Sequence, residues 1–217
     1  MHHRSLHPAC SFALQLVLSI ACTVSLSAQD ADSAAGRHFL AARAAQSSGS
    51  FDLAVQEYLA VIRLEPNLAE ARVNLGLVYY LQARYDESAR TLEKSLALKP
   101  GMRGVDLFLG IDYVRLGEAR RAIPFLKQAV SREPANKEAR TWLGTALWDA
   151  GQENEAIAGL RDAARAFPSD PDVLFLLGQT YQKLGQAEQA NRQFELAKSL
   201  LAEGKNAQQF RLSETLK

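Results

Sequence analysis

An all-α chain of stacked, antiparallel helical hairpins is the fold class this sequence predicts, on three observations. Gly76, Gly110, Gly144 and Gly178 recur every 34 residues, and Pro66, Pro100, Pro134 and Pro168 keep the same interval. Around each of these glycines, apolar residues fall at i, i+3, i+4 and i+7 on both sides of a turn, the pattern of two amphipathic helices in succession. A fixed interval of this length marks an array of supersecondary units and outranks other fold signals.

Cut in that register, the units are residues 35–68, 69–102, 103–136, 137–170 and 171–202. Each has the same parts. Leu75-Gly76, Leu109-Gly110, Leu143-Gly144 and Leu177-Gly178 are followed three residues later by Tyr79, Tyr113, Leu147 and Tyr181. A turn comes next, at Ala83, Gly117, Gly151 and Gly185. The second helix opens with a small residue at Ala54, Ser88, Ala122, Ala156 or Ala190, and Tyr58, Leu92, Leu126, Leu160 or Phe194 follows four positions on.

A glycine inside a helix costs about 1 kcal/mol against alanine, so its repetition requires a packing reason. Facing a small residue on the second helix, it lets two backbones approach below the usual ~8–10 Å. The proline closing each unit stops the second helix, because its ring disfavours helical geometry in the residue before it.

These shared positions resemble the tetratricopeptide repeat, and "AEARVNLGLVYYLQARYDESARTLEKSLALKP", residues 69–100, is similar to that family's consensus. The resemblance implies a right-handed α–α superhelix. Its concave surface, lined by the first helix of each hairpin, would hold a peptide or a partner's helix. One hairpin cannot bury its apolar face alone, so stability comes from stacking.

Departures from the pattern carry information. The first unit has Ala41-Ala42 for Leu-Gly and Ala45 for the aromatic, which reads as a capping unit with a thinner core. The fifth has Ala202 where proline is expected, and Phe210, Leu212 and Leu216 suggest that residues 203–217 form a terminal capping helix or else a tail. Pro124, inside a second helix, predicts a kink near Arg120 or a late helix start.

Residues 1–28 read as a secretory signal, followed by a short linker over 29–34. Arg4 is the one charged residue before Asp30, Phe12 to Leu26 is uncharged and mostly apolar, and Ser25, Ser27 and Ala28 are small. Leu26 is larger than the usual cleavage pattern allows, which leaves an uncleaved anchor as an alternative. "LSIAC" resembles a lipobox ending on Cys22, although Ser19 departs from it. Membrane attachment is expected only through one of these two routes. The expected location is therefore outside the cytoplasm, periplasmic or secreted in a bacterium.

Removing the leader takes away Cys10, Cys22, His2, His3 and His7 and leaves His38 as the one histidine. A zinc site of about four clustered ligands is then out of reach. What remains carries 24 basic and 24 acidic residues, a balance that argues against nucleic-acid binding. No phosphate loop, dinucleotide fingerprint or HExxH occurs, so neither an enzyme nor a cofactor is expected. Arg115, Arg120 and Arg121, the densest basic cluster, read as a solvated outer face.

On the first helices, the stripe about 115° from the Leu-Gly face should line the groove. It comprises Phe39, Arg43 and Gln46; Val73, Leu77 and Tyr80; Leu107, Ile111 and Val114; Thr141, Thr145 and Trp148; Phe175, Gln179 and Gln182. The candidate binding residues on it are Val73, Leu77, Tyr80, Leu107, Ile111, Val114, Trp148 and Phe175. The alternative is that adjacent helices bury the stripe. Trp142 lies between the two stripes and reads as shielding a neighbouring hairpin. The carboxylate clamp found in part of the family would fall on Phe39, Arg43, Asn74, Gly104 and Phe108, where only Asn74 matches. The function expected is an exported, non-catalytic scaffold that binds a protein or peptide. A self-associating structural module, or an accessory to glycan binding or to an enzyme, stands as the alternative.

Overall fold

The computed structural model describes residues 33–215, with side chains through residue 204. The expected leader, with Cys10 and Cys22, and the side chains of Phe210, Leu212 and Leu216 lie outside the described residues. Among the described residues there are ten helices and no strand: α1 (Ala34–Ser47), α2 (Phe51–Leu64), α3 (Ala69–Leu81), α4 (Tyr85–Leu98), α5 (Val105–Arg115), α6 (Ala119–Arg132), α7 (Lys137–Asp149), α8 (Glu153–Ala166), α9 (Pro171–Lys183) and α10 (Ala187–Thr215). None is long and apolar enough to cross a membrane.

The helices pair as the 34-residue register requires, and the chain divides into two compact units between Phe125 and Leu126, inside α6 and just after Pro124. In the first unit α1 packs on α2 and α3 on α4, while α2 meets α3 and α4 meets α5. In the second, α7 packs on α8, α9 on α10, and α8 meets α9.

The turns show why glycine recurs in them. Gly49, Gly117, Gly151 and Gly185 take φ between 72° and 78°, the left-handed region. The residue after each donates its N–H back to a carbonyl in the last turn: Ser50 to Ala45, Glu118 to Tyr113, Gln152 to Leu147 and Gln186 to Tyr181, at 2.8–2.9 Å. That bond satisfies a carbonyl the helix would leave orphaned. In the second hairpin Ala83 fills the same place at φ 58° and Arg84 makes the same bond to Tyr79, at the steric cost that any Cβ brings there.

The helical glycines have a packing reason, but the partner is the large residue four positions past the expected small one. A Cβ on Gly76 would lie 2.7 Å from Leu92 Cδ2, on Gly144 2.5 Å from Leu160 Cδ2, and on Gly178 2.6 Å from Phe194 Cε1. Leu92 and Leu160, both wholly buried, therefore seat directly against helix backbone. Burying such a side chain stabilises by about 1.5–3 kcal/mol. Second helices stop at Leu64, Leu98, Arg132 and Ala166, each two residues ahead of its proline.

The helix starts follow from local chemistry. Ser33 Oγ accepts from Gly36 N–H, Asn136 Oδ1 from Ala139 N–H, and Asp170 Oδ1 from both Asp172 and Val173 N–H. Each satisfies donors that a first turn leaves unpaired, and Pro171 after Asp170 occupies a position where its missing N–H costs nothing.

Three departures resolve differently from the sequence expectation or add to it. The helix containing Pro124 does not start late: α6 begins at Ala119, five residues ahead of the ring. The fifth hairpin's second helix is not followed by a break, because α10 runs unbroken from Ala187 through Gly204 to Thr215. In the first hairpin, the thin alanine core is compensated by Phe39, whose ring meets Tyr58 edge-on at 5.7 Å. Tyr58 in turn donates to Gln46 Oε1 at 3.0 Å. Phe39 and Gln46 are thus core residues of the hairpin, not part of an open stripe.

Candidate functional site

In the first unit the candidate stripe lies on α3 and α5. Val73, Leu77, Leu107 and Ile111 are at most 2% exposed. This corrects the expectation of an open apolar surface at these four positions. The two first helices touch directly, with the Tyr80 ring edge-on to Phe108 at 4.9 Å, so neighbouring first helices share the burial of the stripe. Apolar area of this size is driven out of water by whatever the chain can place against it. Tyr80 and Val114 are half-buried. Burial pushes the Tyr80 hydroxyl up to about 12, against the opposing pull of Arg115. Asn74, the one match to the clamp, is fully buried, and neither its Oδ1 nor its Nδ2 has a hydrogen-bond partner.

The second unit presents the stripe differently. Phe175 on α9 is 50% exposed, with its ring 5.3 Å from Phe194. Trp148 on α7 is half-buried, and Lys183 Nζ lies 5.2 Å from its ring centroid, within cation–π reach. Thr141 and Thr145 spend their hydroxyls on carbonyls of their own helix, Lys137 O and Thr141 O. Gln179 and Gln182 are exposed. The accessible aromatic surface of the stripe in this unit is therefore Phe175 and the outer part of Trp148, beside Lys183, a cation that sequence reasoning did not single out. Trp142 is half-buried.

The basic cluster is more than a solvated face. Arg121 lies 4.1 Å over the Tyr113 ring and donates to Glu118 Oε2 at 2.6 Å, Tyr113 Oη at 2.6 Å and Glu93 Oε1 at 3.2 Å. Tyr113 itself donates to Glu93, and burial together with that carboxylate raises its pKa. The network clips α6 to α4 and α5. His38 similarly ties α1 to α2, with Nδ1 2.5 Å from Glu57 Oε2.

One buried charge-capable group escaped the sequence reading. Asp112 on α5 is fully buried, neither carboxylate oxygen has a hydrogen-bond partner, and burial raises its pKa to about 8. Ser88 on α4 is near enough to pull that value down slightly but forms no well-made bond. The signal was present in the register, since Asp112 stands in a column whose other members include Val78, Ala146 and Thr180. Among the described residues no three His, Cys, Asp or Glu side chains are grouped to hold a metal ion.

Comparison with known proteins agrees with this geometry. Tetratricopeptide-repeat family models match residues 46–83, 71–105, 109–171 and 147–212. The chain is a tetratricopeptide-repeat protein. Among solved structures it is similar to a MamA of strain MSR-1, with 25% identity, 78% of this chain and 98% of that one covered, and a TM-score of 0.70. It is also similar to a MamA from Desulfovibrio magneticus RS-1 (20% identity, 78% and 96% covered, TM-score 0.75). A third similar structure is YrrB, described as a tetratricopeptide protein with an unusual peptide-binding site (24% identity, 80% and 90% covered, TM-score 0.69). No curated protein sequence matches the chain. The tetratricopeptide fold of this chain is that of an all-α protein-interaction scaffold.

Proposed function

We propose that this tetratricopeptide protein is an exported, non-catalytic scaffold that engages a protein or peptide partner through the first-helix face of its last two hairpins. The observation that carries the reading is Phe175. A large aromatic left half exposed on the face that the family uses for binding has apolar area to gain from a partner. Trp148, capped by Lys183, offers a second anchor on the neighbouring first helix, together with a cation for an acidic or carbonyl-rich ligand. The buried stripe of the first unit contributes stability on this reading and not contact area. Export rests on the leader-like residues 1–28 of the sequence.

The test is affinity capture from an envelope fraction with the wild-type chain, Phe175→Asp and Trp148→Ala. A polypeptide retained by wild type and lost with both variants, at unchanged melting temperature, supports the reading. Retention by both variants refutes it. A Leu77→Asp, Ile111→Asp double variant should unfold and not merely lose a partner, because both side chains are buried.

A self-associating module is favoured by one observation. Leu40, Leu53, Leu59 and Leu64 of the first hairpin are 36–52% exposed. Light scattering across a concentration series separates the two readings, since a concentration-independent monomer removes self-association.

A further inference from the structure

The second unit contains an open cleft of about 470 Å3 on the side of the hairpins formed by α8, α9 and α10. That is within the range of small-molecule sites. Its origin is visible in the 34-residue register. Ala164 stands where Ile62, Leu96 and Val130 stand in the preceding hairpins, so a large aliphatic side chain is missing from this inter-hairpin contact. Leu174 stands where Arg72, Asp106 and Arg140 stand, so the residue beneath this position is apolar, not charged. Leu174 and Leu177 line the floor and are 3% exposed, whereas Leu196 at the mouth is 46% exposed.

The polar part of the lining is one-sided. Arg161 and Arg165 project from successive turns of α8, Gln193 faces them from α10, Tyr181 comes from α9, and no acidic residue lines the cleft. Arg165 is paired with Asp162. Arg161 has no ion-pair partner among the described residues. An apolar floor with a free guanidinium at its edge is complementary to a molecule with an apolar body and one anionic end, and a guanidinium fork fits a carboxylate in a bidentate manner.

We propose that this cleft is a binding site for a small amphipathic monocarboxylate, whose hydrocarbon chain lies on Leu174, Leu177 and Leu196 and whose carboxylate meets Arg161. The site is separate from the first-helix face, and nothing in it depends on a partner protein. The alanine at 164 creates the space, the leucine at 174 makes it apolar, and Arg161 selects the charge.

The probe is octanoate, titrated into the full chain with methyl-labelled Leu and Ala and followed by NMR, with octanamide as the neutral isostere. Octanoate is expected to shift the methyls of Leu174, Leu177 and Ala164 saturably, and octanamide to bind at least tenfold more weakly. Arg161→Gln should weaken octanoate at least tenfold while leaving octanamide unchanged. Ala164→Leu restores the side chain of the other hairpins and should abolish both, with a melting temperature no lower than wild type. Absence of saturable shifts at these methyls, equal affinity for octanoate and octanamide, or undiminished binding to a folded Ala164→Leu chain would each overturn the proposal.

Discussion

Replacing Asp112 should make this protein more stable, and by an amount that depends on pH in a defined direction. In the folded chain its carboxyl is held protonated up to about 8, against an ordinary value of 3.8, because burial removes water and supplies no bonded partner. In the unfolded chain the group ionises near the ordinary value. Between those two pH values the folded state binds the extra proton, so stability falls as pH rises, by about 1.4 kcal/mol per unit. The contribution is fully present below pH 4 and is lost progressively until the folded carboxyl itself ionises. At pH 7 the accumulated loss is on the order of 4 kcal/mol, a large fraction of the stability of a small domain. Asp112→Asn keeps the shape and cannot ionise. The two chains should therefore unfold at similar urea concentrations near pH 4, and the variant should draw ahead steadily from pH 5 to pH 8, read by circular dichroism. Asp112→Ala, which matches Ala146 in the same column, should behave alike. A stability difference that does not change between pH 5 and pH 8 would show that the buried carboxyl is not protonated in the fold.

Three further outcomes follow from the hairpin geometry. Ala83→Gly relieves the left-handed conformation of the second turn and should raise stability by about 0.5–1 kcal/mol, measured by urea unfolding; a loss would contradict the turn assignment. Gly144→Ala gains about 1 kcal/mol of helix propensity but drives a methyl to 2.5 Å from Leu160, so a net loss of about 1–2 kcal/mol is expected. A double-mutant cycle with Leu160→Val should show the loss shrinking when the facing side chain is trimmed. Asp170→Ala removes the cap on α9 and the 2.7 Å pair with Lys137, and should cost about 1–2 kcal/mol at pH 7. Burial would raise the Asp170 pKa, but hydrogen bonds from Lys137 and from the Val173 and Asp172 amides outweigh it and hold the value below the ordinary one. The cost should accordingly disappear as pH falls from about 4 through that lowered value.

The parts of this molecule that were legible in advance are those encoded by spacing. Glycine and its partner leucine sit sixteen residues apart on one hairpin, and the proline two residues past each second helix needs no tertiary context to act. Exposure was not legible in the same way. Leu77 and Phe175 belong to the same stripe by periodicity, yet one is wholly buried and the other half exposed. A helical angle tells which way a side chain points, not what the chain places over it. Phe39 shows the complementary failure. With alanines at the usual core positions, the nearest aromatic was drawn inward, and only volume reasoning across the whole hairpin would have anticipated that. Asp112 and Ala164 were visible as exceptions within otherwise consistent columns, and reading the columns for outliers would have found both.

The close seating of Leu92 on Gly76 and of Leu160 on Gly144 also has a bearing on how such a chain can change length. Because each glycine meets its partner inside its own hairpin, a 34-residue cassette carries its tightest contact with it. Duplicating or removing residues 69–102 leaves every remaining glycine–partner pair intact and asks only that two hairpin surfaces meet anew. An insertion inside a hairpin would separate a glycine from its leucine or misdirect a turn, whereas one in a loop between hairpins would not. The repeat is thus a unit of tolerated duplication as well as a unit of packing, with its ends set by the reach of a single side chain across two helices.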